Sequence, residues 1–187
     1  MTVPTAPVAP PITPEMRAEA RRRPGSMLYA VDPAFDPAGT VPPHGIIGGY
    51  QVDHSGAIAR FVHNPNYRPS PQARGWTRPE NALEAALQLA AAGYGDEGRL
   101  AEALGEAEVL VLAMPGTSEF YVQTDGEGRL VLDACTSAGY LPEEWPGSVT
   151  VSCRQLAEAG SGLHLRLNPG SVPSVTLPLD AVPLAAG

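Results

Sequence analysis

The residues of this chain best suited to nucleophilic or metal chemistry are four histidines, His44, His54, His63 and His164, and two cysteines, Cys135 and Cys153. Nucleophilic catalysis needs a nucleophile, a base within hydrogen-bond reach and a group that orients the base. Asp53-His54-Ser55 contains all three residue types. Adjacent residues on a turn cannot aim at one another, however, and Asp-His-Ser-Gly is ordinary turn composition. Cys135 and His164 would make a thiolate–imidazole pair only if the fold brought them together, and nothing local requires it. His54 and His63 stand at opposite ends of one expected strand with no cysteine beside them, so no metal site is expected. The chain has no lysine, which excludes a Walker-type phosphate loop, and no GxGxxG follows a strand. Glu143-Glu144 and Glu97, Glu102 and Glu106 have the spacing of solvated faces. The expectation is a protein that is not an enzyme and carries no cofactor.

A second set of residues suits recognition. Tyr67, Arg68, Arg74, Trp76 and Arg78 are concentrated in one Pro-rich stretch, NPNYRPSPQARGWTR. Arg and aromatic side chains anchor protein interfaces because they offer large area, few rotors and planar hydrogen bonding. A long ordered loop in a compact domain is more often functional than not. These five are the candidate partner-binding residues, and Trp145 is a weaker one of the same kind. Asn168, Gly170 and Ser171, in the turn Asn-Pro-Gly-Ser, are candidates for a ligand groove.

The elements that must position these residues follow from periodicity and punctuation. Residues 1–12 are read as a disordered Pro-rich tail. Thr13-Pro14-Glu15 gives a hydroxyl N-cap, Pro at the first helical position and an acid in the first turn, for a helix to about Arg22. Met27 to Val31, Ile46 to Val52 and Ala57 to His63 read as strands. Gly48-Gly49 marks a bulge or a close backbone approach. Thr77 to Glu80 has capping-box spacing and predicts a helix through Leu83 and Leu87 to Gly93. A second helix is expected from Asp96, with Leu100, Ala103, Leu104 and Ala107 on one face. Strands follow at Val109 to Ala113, Phe120 to Gln123, Arg129 to Ala134, Val149 to Cys153, His164 to Leu167 and Val175 to Leu177. A short helix is expected from Arg154 to Ala159. The class is α+β, a mostly antiparallel sheet with helices on one side. The expected organisation is an N-terminal αβββα region at 13–95 and a second domain at 96–187, with the helix from Asn81 to Ala92 between them.

Composition bounds the function. The chain of 187 residues carries a formal net charge of −8, which disfavours sequence-independent binding to phosphate backbones. Arg21-Arg22-Arg23 is too small a cluster for a membrane or nucleic-acid patch. No stretch approaches membrane-spanning length and the N-terminus lacks the apolar core of a signal peptide, so a cytoplasmic protein is expected.

Three stretches resemble the SseB family: LAEALGEAEVLVLAMP, GRLVLDACTSAGYLPEEW and LHLRLNPGSVPSVTLPLDAV, together covering roughly Leu100 to Val182. Where the family commonly has an aromatic before Thr-Ser, this chain has Ala134-Cys135. The whole chain is similar to actinobacterial proteins associated with type VII secretion, through PGSMLYAVDPAFDP, VPPHGIIGGYQVD and NPNYRPSPQARGW. That resemblance implies an accessory or adaptor protein that binds a secretion component or a secreted substrate, and it transfers no catalytic residue. Two other readings fit an acidic α+β chain: an intracellular immunity or inhibitor protein for an exported toxin, and a small-molecule sensor. An exposed edge strand could support a homodimer.

Overall fold

A computed structural model describes residues 8–95 and 97–183, with the backbone alone at Glu97. The chain divides into two compact units, Met1–Trp76 and Thr77–Gly187. Most of the expected tail, residues 1–7, and the expected helix start at Asp96 lie outside the described residues.

The first unit opens with α1 (Pro14–Arg22), whose N-cap Thr13 accepts from the Met16 amide at 3.2 Å. A three-stranded antiparallel sheet follows in the order β1 (Met27–Val31), β2 (Ile46–Val52), β3 (Ile58–His63). The Gly48-Gly49 pair serves close approach. A Cβ on Gly48 would sit 2.5 Å from Phe61 Cζ and against the Val62 carbonyl, and one on Gly49 would meet the Met27 thioether at 2.6 Å. The sheet packs Tyr50 against Phe61 on one face, with ring centroids 4.6 Å apart.

The second unit contains α2 (Ala82–Ala92), α3 (Glu97–Glu106), β4 (Glu108–Leu112), β5 (Val122–Thr124), β6 (Leu130–Cys135), β7 (Ser148–Ser152), α4 (Cys153–Ala159), β8 (His164–Leu167) and β9 (Val175–Pro178). The sheet order is β7-β4-β6-β8-β9, with β5 beside the first half of β6. All pairings are antiparallel except β6 with β8. Because side chains alternate along a strand, Leu132, Ala134, Leu165, Leu167, Val109 and Val111 share one face. Leu83 and Leu87 of α2, Leu104 of α3 and Leu156 of α4 pack on that face to make the core. This is the expected α+β class, with the helical layer over one sheet face.

Two expectations are corrected. The helix expected to open at Thr77 to Glu80 starts at Ala82, because Asn81 is the N-cap and accepts from the Glu84 amide at 2.9 Å. The Glu84 carboxylate turns back to the Glu80 amide at 2.7 Å, so the box is shifted by four residues. The unit boundary falls at Trp76/Thr77, so α2, expected with the N-terminal region, belongs to the second unit. Its Leu83 and Leu87 are part of that unit's core.

Candidate functional site

The Tyr/Arg/Trp loop is held to its unit by one buried carboxylate. Asp32 follows β1 and is fully buried. Its Oδ1 accepts from the Ala34 amide at 2.9 Å and the Ser70 hydroxyl at 2.5 Å. Its Oδ2 accepts from the Ser70 amide at 3.0 Å and the Tyr67 hydroxyl at 2.9 Å. Burial alone pushes this carboxyl up, but the donors of Ser70, Ala34 and Tyr67 together outweigh it and hold Asp32 below the ordinary range. Asn64 fixes the start of the loop by donating to the carbonyls of Pro43 and Ile46 at 2.6 and 2.7 Å. The end of the loop winds into turns in which the Arg74 amide donates to Ser70 O and the Trp76 amide to Pro71 O, each at 3.0 Å.

The sequence candidates therefore take different parts. Tyr67 is half-buried and its hydroxyl is committed to Asp32, so it braces the loop. Arg68 and Arg74 are exposed, and Trp76 is half-buried. The Arg74 guanidinium lies 5.4 Å from the centroid of the Trp76 ring while its Nε donates to Pro69 O at 3.1 Å. A cation over an indole face is favourable and holds both planar groups in one orientation. Arg78 falls in the second unit, apart from the other four.

The Asn168 turn is built for structure. Asn168 is fully buried, with φ 52 in the left-handed region that Asn tolerates better than most residues. Its Oδ1 accepts from the Thr136 amide at 2.9 Å and hydroxyl at 3.1 Å, and the same hydroxyl lies 3.0 Å from Glu84 Oε1. This node joins the ends of β6 and β8 to the start of α2. Gly170, with φ 77, and Ser171, whose amide donates to Asn168 O at 3.1 Å, complete the turn.

Sequence reasoning missed the charged pair on the sheet face away from the helices. Arg166 Nε and Nη2 donate to the two Asp133 oxygens at 2.6 and 2.7 Å, and Gln123 donates to Asp133 at 3.0 Å. The hydrogen bonds to Asp133 raise the Arg166 pKa above its ordinary value. An Asp inside an apolar strand, LVLDAC, with one Arg at the alternate position of HLRL, was the available signal; the strand pairing that joins them was not.

The remaining chemical candidates are kept apart or occupied. Asp53 Oδ1 accepts from the Ser55 amide, the Ser55 hydroxyl and the Ala57 amide at 2.8, 2.6 and 2.9 Å. Those bonds, the Ser55 hydroxyl first, lower the Asp53 pKa and make Asp53-His54-Ser55 an Asx turn. His164 pairs in register with Val131, four residues along β6 from Cys135, or about 13 Å at strand rise. Cys135 Sγ instead contacts Tyr140 O at 3.3 Å. Burial pushes both thiols, Cys135 and Cys153, to about 11, with the Asp133 charge adding to the effect at Cys135. Among the described residues no group of three or more His, Cys, Asp or Glu is placed to hold a metal ion, and no helix is long and apolar enough to cross a membrane.

The family model described as SseB protein N-terminal domain matches residues 83–183. That span is more than half of the chain and begins inside α2, so the chain belongs to the SseB family. No curated protein and no solved structure matches it.

Proposed function

We propose that this protein is a non-catalytic accessory protein that acts in the cytoplasm by binding another protein, in association with an actinobacterial type VII secretion system. The observation that carries the protein-binding part is the braced loop. A buried carboxylate with four donors fixes residues 67–70, and the loop then presents exposed Arg68 and, over the Trp76 indole, exposed Arg74. Ordering such side chains before contact lowers the entropy cost of binding. The secretion association is supported by the resemblance of PGSMLYAVDPAFDP, VPPHGIIGGYQVD and NPNYRPSPQARGW, the last of which is that loop.

The test is cross-linked capture from the native host with the full chain as bait, beside an Arg68→Ala/Arg74→Ala variant. The expected result is recovery of a secretion component or exported substrate by the wild type, reduced about tenfold or more by the variant, the equivalent of about 1.4 kcal/mol. Recovery without any secretion-related protein removes the association, and recovery unchanged by the variant removes the loop as the contact.

A further inference from the structure

The helical layer of the second unit has an outward side as well as a core side. With Leu83, Leu87 and Leu104 turned to the sheet, the opposite rows of α2 and α3 line a groove of about 820 Å3. Its α2 wall is Ala82, Ala85, Ala86 and Leu89, spaced by helical turns, and its α3 wall bears Glu102 and Glu106 together with Arg99. A recess of about 800 Å3 shares Ala82, Ala103 and Glu106 with it and continues to Glu108 and Arg154. One wall is thus apolar and shallow, and the other carries more carboxylates than guanidiniums, Glu102 and Glu106 against Arg99, with Glu108 beyond them.

Neither Glu102 nor Glu106 has an ion-pair partner among the described residues. At the far end, Arg154 Nε is shut off from solvent with no acceptor among the described residues. The surrounding charge is one-sided: residues 77–187 hold fifteen carboxylates against five arginines, whereas residues 1–76 hold five against seven.

We propose that this groove is a docking site for a basic amphipathic helix of a partner protein. It rests on the protein-binding reading in class only, because the surface is not the Arg74–Trp76 loop. Alanine on the α2 wall lets another helix approach at the close end of the usual 8–10 Å interaxial range. Apolar residues of the incoming helix at i, i+3, i+4 and i+7 meet that wall while its Lys or Arg residues meet Glu102, Glu106 and Glu108. From Ala82 to Leu89 the wall is about 10 Å long at 1.5 Å per residue, two turns, and the recess adds a third. A two-fold contact with a second copy is a poor occupant, since it would set this carboxylate-rich face against itself.

The probe is a synthetic helical peptide of roughly 18 residues made of Leu and Lys, with leucines in one stripe. Its controls are a permuted peptide of the same composition with the stripe scattered and a Leu/Glu version. Binding to the full chain is read by fluorescence anisotropy. The striped Leu/Lys peptide is expected to bind about tenfold or more tightly than either control, with affinity falling as salt rises. Glu102→Lys/Glu106→Lys and, separately, Ala86→Trp each weaken it about tenfold, while Arg68→Ala/Arg74→Ala leaves it unchanged. Circular dichroism confirms the fold of each variant, and the charge-reversal pair decides the matter if Ala86→Trp melts early.

No binding, equal binding of the permuted peptide, or indifference to the charge-reversal pair overturns the proposal. So does self-association of the wild type that Glu102→Lys/Glu106→Lys strengthens and Ala86→Trp abolishes, which gives the face to a second copy. Host capture failing while peptide binding holds overturns the loop and secretion reading but not this one, and the reverse pattern overturns this groove alone.

Discussion

Replacing Asp32 by Asn tests whether the Tyr/Arg/Trp loop is held by the buried carboxylate. The amide has nearly the same shape, so packing is preserved, but one oxygen becomes an NH2 donor. Each carboxylate oxygen currently accepts from a main-chain amide, Ala34 on Oδ1 and Ser70 on Oδ2. Either orientation of the new side chain therefore sets a donor against a buried N–H that cannot rotate away. An orphaned buried donor costs about 1–3 kcal/mol and the lost charge assistance to the remaining bonds about 1 more, so Asp32→Asn should destabilise the first unit by about 2–4 kcal/mol. Tyr67→Phe removes one donor and leaves three, for about 1 kcal/mol. Urea unfolding followed by Trp76 fluorescence in a Trp145→Phe background reads the first unit by itself.

The pH dependence has a definite sign. The Asp32 carboxyl is depressed in the folded state, so its contribution is present above the unfolded value near 3.9 and is lost as pH falls through the lower folded one. Asp32→Asn should flatten that acid limb. A loss under about 0.5 kcal/mol, or a larger loss from Tyr67→Phe than from Asp32→Asn, would refute the account.

Three further outcomes are expected. Arg166→Met leaves Asp133, whose side chain is 6% exposed, with only Gln123 as partner, and should cost about 2–4 kcal/mol in a urea titration, with Asp133→Asn added in the same chain restoring part of it. At pH 8 neither Cys135 nor Cys153 should react with a thiol–disulfide reagent in the native protein, since burial puts both near 11, and labelling should track unfolding in denaturant; prompt stoichiometric labelling would contradict the burial. Gly48→Ala drives a methyl to 2.5 Å from Phe61 Cζ and should lower stability by about 1–3 kcal/mol, whereas Gly126→Ala, with open space around it, should leave thermal melting within a degree or two.

What was legible in the sequence was local. Thr13-Pro14-Glu15 specified α1 because cap, proline and acid act within one turn. The β5–β6 turn is equally local, since Asp125 accepts from the amides of Glu127 and Arg129 within it. The α2 start was misread because two boxes compete within five residues, and Asn81 prevails through contacts that include the Thr136 carbonyl 55 positions away. The candidate loop was found by residue type, but its brace was not. Asp32 before Pro33 reads as punctuation, and its partners Tyr67 and Ser70 lie 35 and 38 residues on. Asn-Pro-Gly-Ser is legible as a turn by residue type, but the burial of Asn168 is not, because it is set by bonds to Thr136, 32 residues earlier.

That pairing also orders events during synthesis. Strand β6 leaves the ribosome after β4 and β5, which line one of its edges. Its other edge stays bare until β8 appears, about thirty residues later in the chain. A naked apolar strand edge invites pairing with a neighbouring nascent chain. Asp133 sits in the middle of that edge as a gatekeeper, since stacking it against another copy of β6 sets two carboxylates together. The strand that closes the edge brings Arg166 in register with Asp133, so the charge that guards β6 is neutralised by the same segment that completes the sheet.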